Sequence, residues 1–267
     1  MKIAFIGGGN MGEAMLSAIL DKGLAAAESI TVSDVSMPRR DYLEQQYGVA
    51  VTGNNHEAII GKDVVIVAVK PQNLAEMMTG LKGLLTPEQL VLSIVAGATL
   101  KSLCDGLLHG PVVRAMPNTP AQIGEGMTVW ATTDKVSTRQ KEQASAILGA
   151  MGHQIAVEDE DRIDMATAVS GSGPAYLFFF VEALIDAAVN VGFSREMAYD
   201  LVLTTVLGAG HLLQKSDHAP AELRRMVTSP GGTTAAAISR LEDGGFAELL
   251  RDAVDAAYRR AKELGNQ

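Results

Sequence analysis

Ile3-Ala-Phe-Ile-Gly-Gly-Gly-Asn-Met-Gly12 is the stretch that decides the fold. A short apolar run ends in glycines, and the pattern G-x-G-x-x-G falls on Gly7, Gly9 and Gly12. The pattern alone is weak, but behind a strand and opening a helix it marks a dinucleotide-binding unit. Gly7 permits the tight turn, Gly9 lets a pyrophosphate approach the backbone, and Gly12 lets helix and strand pack closely. Asn10 and Met11 open that helix, where backbone N–H groups lack internal partners and favour an anion.

Strands and helices alternate outward from this point. Strands are predicted at 2–6, 30–33, 63–69, 89–94, 112–115, 127–131 and 155–157, with helices over 11–24 and 40–46. Asp63-Val-Val-Ile-Val-Ala-Val69 is a continuous β-branched run, as a strand buried on both faces requires. The alternation predicts a doubly wound parallel sheet, with residues 1–159 as a Rossmann domain. Beyond about residue 160 the strand signal stops. Helices are predicted at 174–191, 195–215, 234–242 and 246–264, so residues 160–267 form an all-α domain. The first two long helices are apolar on nearly every side, and such a helix must be covered. A second copy of the chain is expected to cover them, giving a homodimer through the helical domain; a compact monomeric bundle is the alternative.

The bulk composition narrows the function. With 22 Lys and Arg against 31 Asp and Glu, the net charge of −9 argues against nucleic acid as a partner. One cysteine, Cys104, leaves no internal disulfide and favours a reducing compartment, so a cytoplasmic protein is expected. The apolar run after Lys2 is too short for a secretory signal. Tyr176–Val191 carries Glu182, Asp186 and Asn190 on one helical face, which reads as a buried helix rather than a membrane span.

Several strand ends carry polar chemistry at one sheet edge, where doubly wound folds bind ligands. Asp34, 22 positions beyond Gly12, suits the ribose hydroxyls of NAD. Ser36, Arg39 and Arg40 follow it and suit the 2′-phosphate of NADP. NADP(H) is the expected cofactor, with NAD(H) the alternative. Asn55, the run Ala68, Val69, Lys70 and Pro71, then Ala96, Gly97 and Asn118 complete the expected cofactor set.

A second glycine turn, Val227-Thr-Ser-Pro-Gly-Gly-Thr-Thr234, opens a further run of helix formers. Two glycines and several hydroxyls before a helix form an anion cradle suited to a substrate carboxylate. With Phe5–Met11, Ala68–Pro71, Met116–Pro120 and Ser170-Gly-Ser-Gly-Pro-Ala-Tyr176, this turn resembles the Δ1-pyrroline-5-carboxylate reductases, over essentially the whole chain. The resemblance implies a Rossmann domain and a helical dimerisation domain, with assembly from dimers into larger oligomers in many members. It also implies an active site where the helical domain of one subunit meets the cofactor held by its partner. The family's substrate-binding positions map onto Ser229, Gly232, Thr233 and Thr234, with Glu160 at a ligand-proximal position. Asp34 departs from the small or basic residues usual at its position.

The implied reaction is reduction of 1-pyrroline-5-carboxylate to L-proline. Protonating the imine nitrogen makes the adjacent carbon electrophilic, so no strong base is needed, and Thr234 is expected to hydrogen-bond that nitrogen. A β-hydroxyacid dehydrogenase is the first alternative, but it needs a lysine base, and residues 142–214 contain no lysine. A non-catalytic dinucleotide sensor is the second, and it leaves the second cradle unused. His56, His109, His153, His211 and His218 show no metal-ligand or triad spacing. The acidic run Glu158–Asp161 reads as a solvated turn before a helix, so no metal is expected.

Overall fold

The computed structural model describes residues 1–265. Eight strands, β1 (Ile3–Ile6), β2 (Ile30–Ser33), β3 (Ala50–Thr52), β4 (Val64–Val67), β5 (Leu90–Ser93), β6 (Val112–Met116), β7 (Gly126–Thr132) and β8 (Gly152–Ala156), form one sheet. Their order is β3-β2-β1-β4-β5-β6-β7-β8. Helices α1 (Asn10–Asp21), α2 (Met37–Tyr47), α3 (Asn55–Ile59), α4 (Leu74–Leu81), α5 (Leu100–Leu107) and α6 (Thr138–Gly149) connect them. Side chains alternate between two covered faces. Phe5, Ile66 and Leu92 enter one apolar cluster, while Ile6, Val65 and Val91 enter the other.

The expected parallel sheet is present with one departure: β7 runs antiparallel to β6. Residues 117–125 are too few for a parallel crossover, which needs about a dozen or more. The α6 connection then brings β8 parallel to β7 at the sheet edge.

The chain forms two compact units, Met1–Ser172 together with the segment from Ala257 onward, and Gly173–Ala256. The sheet-bearing unit thus continues past the 159/160 division expected from sequence. Helix α7 (Asp161–Ala166) packs there, with Ile163 buried against Val129 and Ala131. A π-helical turn, Thr167–Gly171, follows it; Ser172 N donates to Thr167 O at 2.8 Å, a five-residue step. Such turns concentrate at functional sites.

The second unit contains α8 (Gly173–Asn190), α9 (Arg195–Lys215), α10 (Pro220–Met226), α11 (Thr233–Asp243) and the first half of α12 (Phe246–Gly265). Its core is small, centred on Ile185, Ala198 and Val202. Phe178, Phe179, Phe180, Leu207 and Leu249 are exposed, Phe179 to 72%. Within Asp161–Asn190 an 18-residue window has a mean hydropathy of 1.4, enough by length and composition alone to cross a membrane.

Candidate active site

The first cradle is built by glycines. Gly7 has φ +100°, a conformation L side chains rarely adopt, and a Cβ there would fall 2.7 Å from the Ala68 carbonyl oxygen. A Cβ on Gly12 would fall 2.6 Å from the Gly7 carbonyl oxygen. Gly9 differs, because a Cβ there would meet no atom within 4 Å. It is the N-cap of α1 and faces open space in front of the helix N-terminus, where a pyrophosphate fits.

A cleft of ≈ 910 Å³ adjoins this turn. Gly7, Gly9, Asp34, Asn55, Ala68, Val69 and Lys70 line it, all expected from sequence. Gly53, Asn54 and His56 line it as well. Gly53 and Asn54 stand on the turn after β3 and His56 in the first turn of α3; β3 is a strand of three residues with too few positions to show a period. Asn55 Oδ1 accepts from Ser33 Oγ at 2.7 Å, which orients the amide at the end of β2.

Asp34 bonds at both ends of its carboxylate: Oδ2 accepts from Gly8 N at 2.9 Å and Oδ1 from Ser36 N at 2.8 Å. Arg39 turns toward the glycine loop, with Nε donating to Gly8 O and a guanidinium nitrogen paired to Glu13. The hydroxyls of Tyr42 and Tyr47 also donate to Glu13, each at 2.9 Å. Burial alone raises the Glu13 carboxyl, but bonds from Arg39, Tyr42 and Tyr47 outweigh it and hold the group below its ordinary range. Burial, then the bond to Glu13, pushes Tyr47 up to about 12.

Other expected residues take positions that sequence did not anticipate. Gly97 has φ +78°, and a Cβ there would fall 2.9 Å from the Leu264 carbonyl oxygen, so its bare face receives the end of α12. Ala96 shares that turn after β5, and Pro71 begins a 3-10 turn after β4. The Asn118 amide is engaged on both sides: Oδ1 accepts from Met127 N at 2.9 Å and Nδ2 donates to Ser170 O at 3.0 Å. Pro174, four residues beyond Ser170, has no N–H to offer that carbonyl. Glu160 Oε1 accepts from Leu100 N at 2.7 Å and from Arg114 at 2.8 Å. Arg114, 3% exposed on β6, pairs also with Asp164 at 2.5 Å. Its signal in the sequence is a guanidinium inside the otherwise apolar Val112–Met116.

The second cradle lies in the helical unit. Thr228 Oγ1 donates to Arg224 O at 2.6 Å, which fixes the exit of α10. Gly231 takes φ +70°, and Gly232 N closes the turn on Ser229 O at 3.0 Å. Gly232 is the N-cap of α11, and a Cβ there would fall 2.5 Å from Ser229 Oγ, so a larger residue would have to turn that hydroxyl away. The bond from Ala236 N to Gly232 O at 3.2 Å begins the helical ladder. The N–H groups of Thr233, Thr234 and Ala235 precede that ladder and share the positive helix end with two threonine hydroxyls.

Residues 160–264 match the family described as pyrroline-5-carboxylate reductase dimerisation, and residues 2–97 match that described as NADP oxidoreductase coenzyme F420-dependent. A pyrroline-5-carboxylate reductase from Synechocystis sp. is 42% identical over 267 residues, covering 100% of this chain and 99% of that one. This chain belongs to the pyrroline-5-carboxylate reductase family. Solved pyrroline-5-carboxylate reductases share its structure. That of Coxiella burnetii matches with a TM-score of 0.89 at 39% identity, over 98% of each chain. That of Plasmodium falciparum, solved with NADP bound, matches with a TM-score of 0.89 at 31% identity, over 99% of this chain and 98% of that one.

Proposed function

We propose that the chain is an NAD(P)H-dependent oxidoreductase that reduces 1-pyrroline-5-carboxylate to L-proline, the last step of proline biosynthesis. The observation that carries this reading is the full-length match to a pyrroline-5-carboxylate reductase, with both glycine cradles in place. Family membership supports NADP(H) as cofactor, and Asp34 at the cleft leaves NAD(H) as a second one.

The cofactor cradle passes the test of fit, because Gly7 and Gly12 are forced by close backbone contacts while Gly9 keeps the approach to α1 clear. When bound, the reduced nicotinamide supplies hydride to the imine carbon. The helix N-terminus at Gly232–Thr234 binds the substrate carboxylate, and the Ser229 hydroxyl adds a donor. Thr234 Oγ1 hydrogen-bonds the ring nitrogen, holding the protonated imine in one orientation. Arg114 fixes the Glu160 carboxylate, which is proposed to bound the ligand space. Orientation and charge complementarity then supply most of the catalysis, and no side-chain base is required. This explains why the lysine-free interval 142–214 disfavours alcohol oxidation and leaves imine reduction untouched.

The exposed apolar surface of α8 and α9 supports a homo-oligomer. Fully burying an exposed Phe or Leu is worth about 1.5–3 kcal/mol, and Phe178, Phe179 and Phe180, spread around α8, with Leu207 on α9 leave enough apolar surface part-exposed to favour a partner. We assign that partner as a second copy, forming a homodimer that assembles into larger oligomers, working in the cytoplasm with no membrane or nucleic-acid partner.

Steady-state oxidation of NADPH and NADH by the purified chain, with 1-pyrroline-5-carboxylate as substrate, tests the proposal. Rapid substrate-dependent turnover is expected. A folded oligomer that binds NADPH and consumes nothing would support the sensor instead.

A further inference from the structure

We infer that the two adjacent arginines after β2 divide their labour: Arg40 reads the 2′-phosphate of NADPH, while Arg39 belongs to the glycine loop. The inference rests on the reading of the cleft as the dinucleotide site.

Arg39 is held on every side. Its Nε donates to Gly8 O, another guanidinium nitrogen pairs with Glu13, and its Cζ lies 5.1 Å from the Tyr42 ring centroid. The Arg39 and Glu13 side chains are only 23% and 20% exposed. Swinging Arg39 toward a phosphate strips the Gly8 carbonyl of its donor and takes the charged partner from Glu13, leaving that part-buried carboxylate only its two tyrosine hydroxyls, which is costly. Together with the Asp34–Gly8 bond, this means both polar groups of the Gly8 residue are fixed from outside the loop: N–H by Asp34, C=O by Arg39. Arg39 therefore shapes the pyrophosphate turn that every dinucleotide uses.

Arg40 is placed differently. One guanidinium nitrogen donates to the Asp34 carbonyl oxygen at 2.6 Å, and the same nitrogen lies 3.3 Å from where a Cβ on Gly53 would stand. Asp34 and Gly53 both line the cleft, so this guanidinium packs against two residues of its wall, at the end of β2 where the ribose is expected. It is held by a carbonyl rather than by a carboxylate, and its remaining donors suit a bidentate phosphate contact. The Asp34 carboxylate, with an N–H on each oxygen, repels a neighbouring phosphate less than a bare carboxylate does and still reaches ribose hydroxyls. Discrimination between the two cofactors thus depends on Arg40.

Calorimetric affinities of adenosine 2′,5′-bisphosphate and of 5′-AMP test this on the whole protein, alongside NADPH and NADH kinetics. Arg40→Ala is expected to weaken the bisphosphate by at least about tenfold and leave AMP within about twofold, the scale of one lost charge-assisted bond. Arg39→Ala is expected to weaken both nucleotides by the same factor, with their ratio unchanged. If Arg39→Ala does not fold, Glu13→Gln, which removes the charge but keeps the volume, is expected to show the same equal loss. An altered ratio in Arg39→Ala or Glu13→Gln, with an unaltered one in Arg40→Ala, overturns the assignment. A wild-type protein that binds neither nucleotide overturns the cleft reading itself.

Discussion

Replacing Gly9 with alanine separates the cradle's role in folding from its role in binding. Gly9 has φ −66°, which alanine adopts freely, and the added methyl would meet no protein atom within 4 Å. Losing glycine at an N-cap costs at most about 1 kcal/mol, and the reduced freedom of the unfolded chain returns about 0.4–1 kcal/mol. Net stability should therefore change by less than about 1 kcal/mol. The same methyl projects into the space before the α1 N-terminus and displaces a pyrophosphate from its N–H donors. Loss of one charged hydrogen bond at about 1.5–3 kcal/mol weakens binding about 10- to 150-fold. Gly7→Ala should behave oppositely: φ +100° and a 2.7 Å clash with the Ala68 carbonyl cost about 2–5 kcal/mol of stability through strain and overpacking. Thermal unfolding without cofactor, paired with calorimetric NADPH affinity, reads both effects. A stable Gly9→Ala protein that binds NADPH as wild type does would refute the placement of the pyrophosphate.

Further expectations follow from the second cradle and the buried charges. Thr234→Ala should lower kcat/KM on the order of 10- to 100-fold without abolishing turnover, since one hydrogen bond to a charged group is removed; an unchanged value takes Thr234 out of the mechanism. Asp164→Ala strips a partner from Arg114, which is 4% exposed at its side chain, and should cost about 3–5 kcal/mol in chemical denaturation. His109 is buried, with Nε2 2.8 Å from the Gln89 carbonyl oxygen, and burial outweighs its backbone bonds to lower its pKa. The unfolded chain then takes up a proton first, so stability is full above pH ~6.5 and falls as pH drops from there through the folded-state value. His109→Gln should flatten the fall in Tm between roughly pH 6.5 and 5, and an unaltered slope would contradict this account.

What the sequence revealed, and what it hid, follows from the range of the interactions involved. The β-branched run Val64–Val67 and the glycines after β1 are local signals, and they placed the central strands and the cofactor turn. The helices α8, α9, α11 and α12 were legible to within a residue or so, because long periodic patterns average over many positions. Strand β3 was missed because three residues carry no period, and with it went Gly53, Asn54 and His56 at the cleft. The reversal of β7 was latent in the short link after β6, but side-chain alternation does not encode strand direction. The partners of Arg39 and Asn118 were invisible for another reason. Glu13, Gly8 and Ser170 lie tens of residues away in sequence, so only the folded chain shows that Arg39 serves the glycine loop. Gly97 reads as a ligand-side glycine in a turn, yet its bare face meets Leu264 at the far end of the chain.

The most direct test of the central claim follows the label from NADPH carrying deuterium at both C4 positions of the nicotinamide during incubation with 1-pyrroline-5-carboxylate. The account predicts L-proline carrying deuterium at its δ-carbon, one label for each cofactor oxidised. Cofactor oxidation without labelled proline, or no oxidation by a folded protein that binds NADPH, would contradict it.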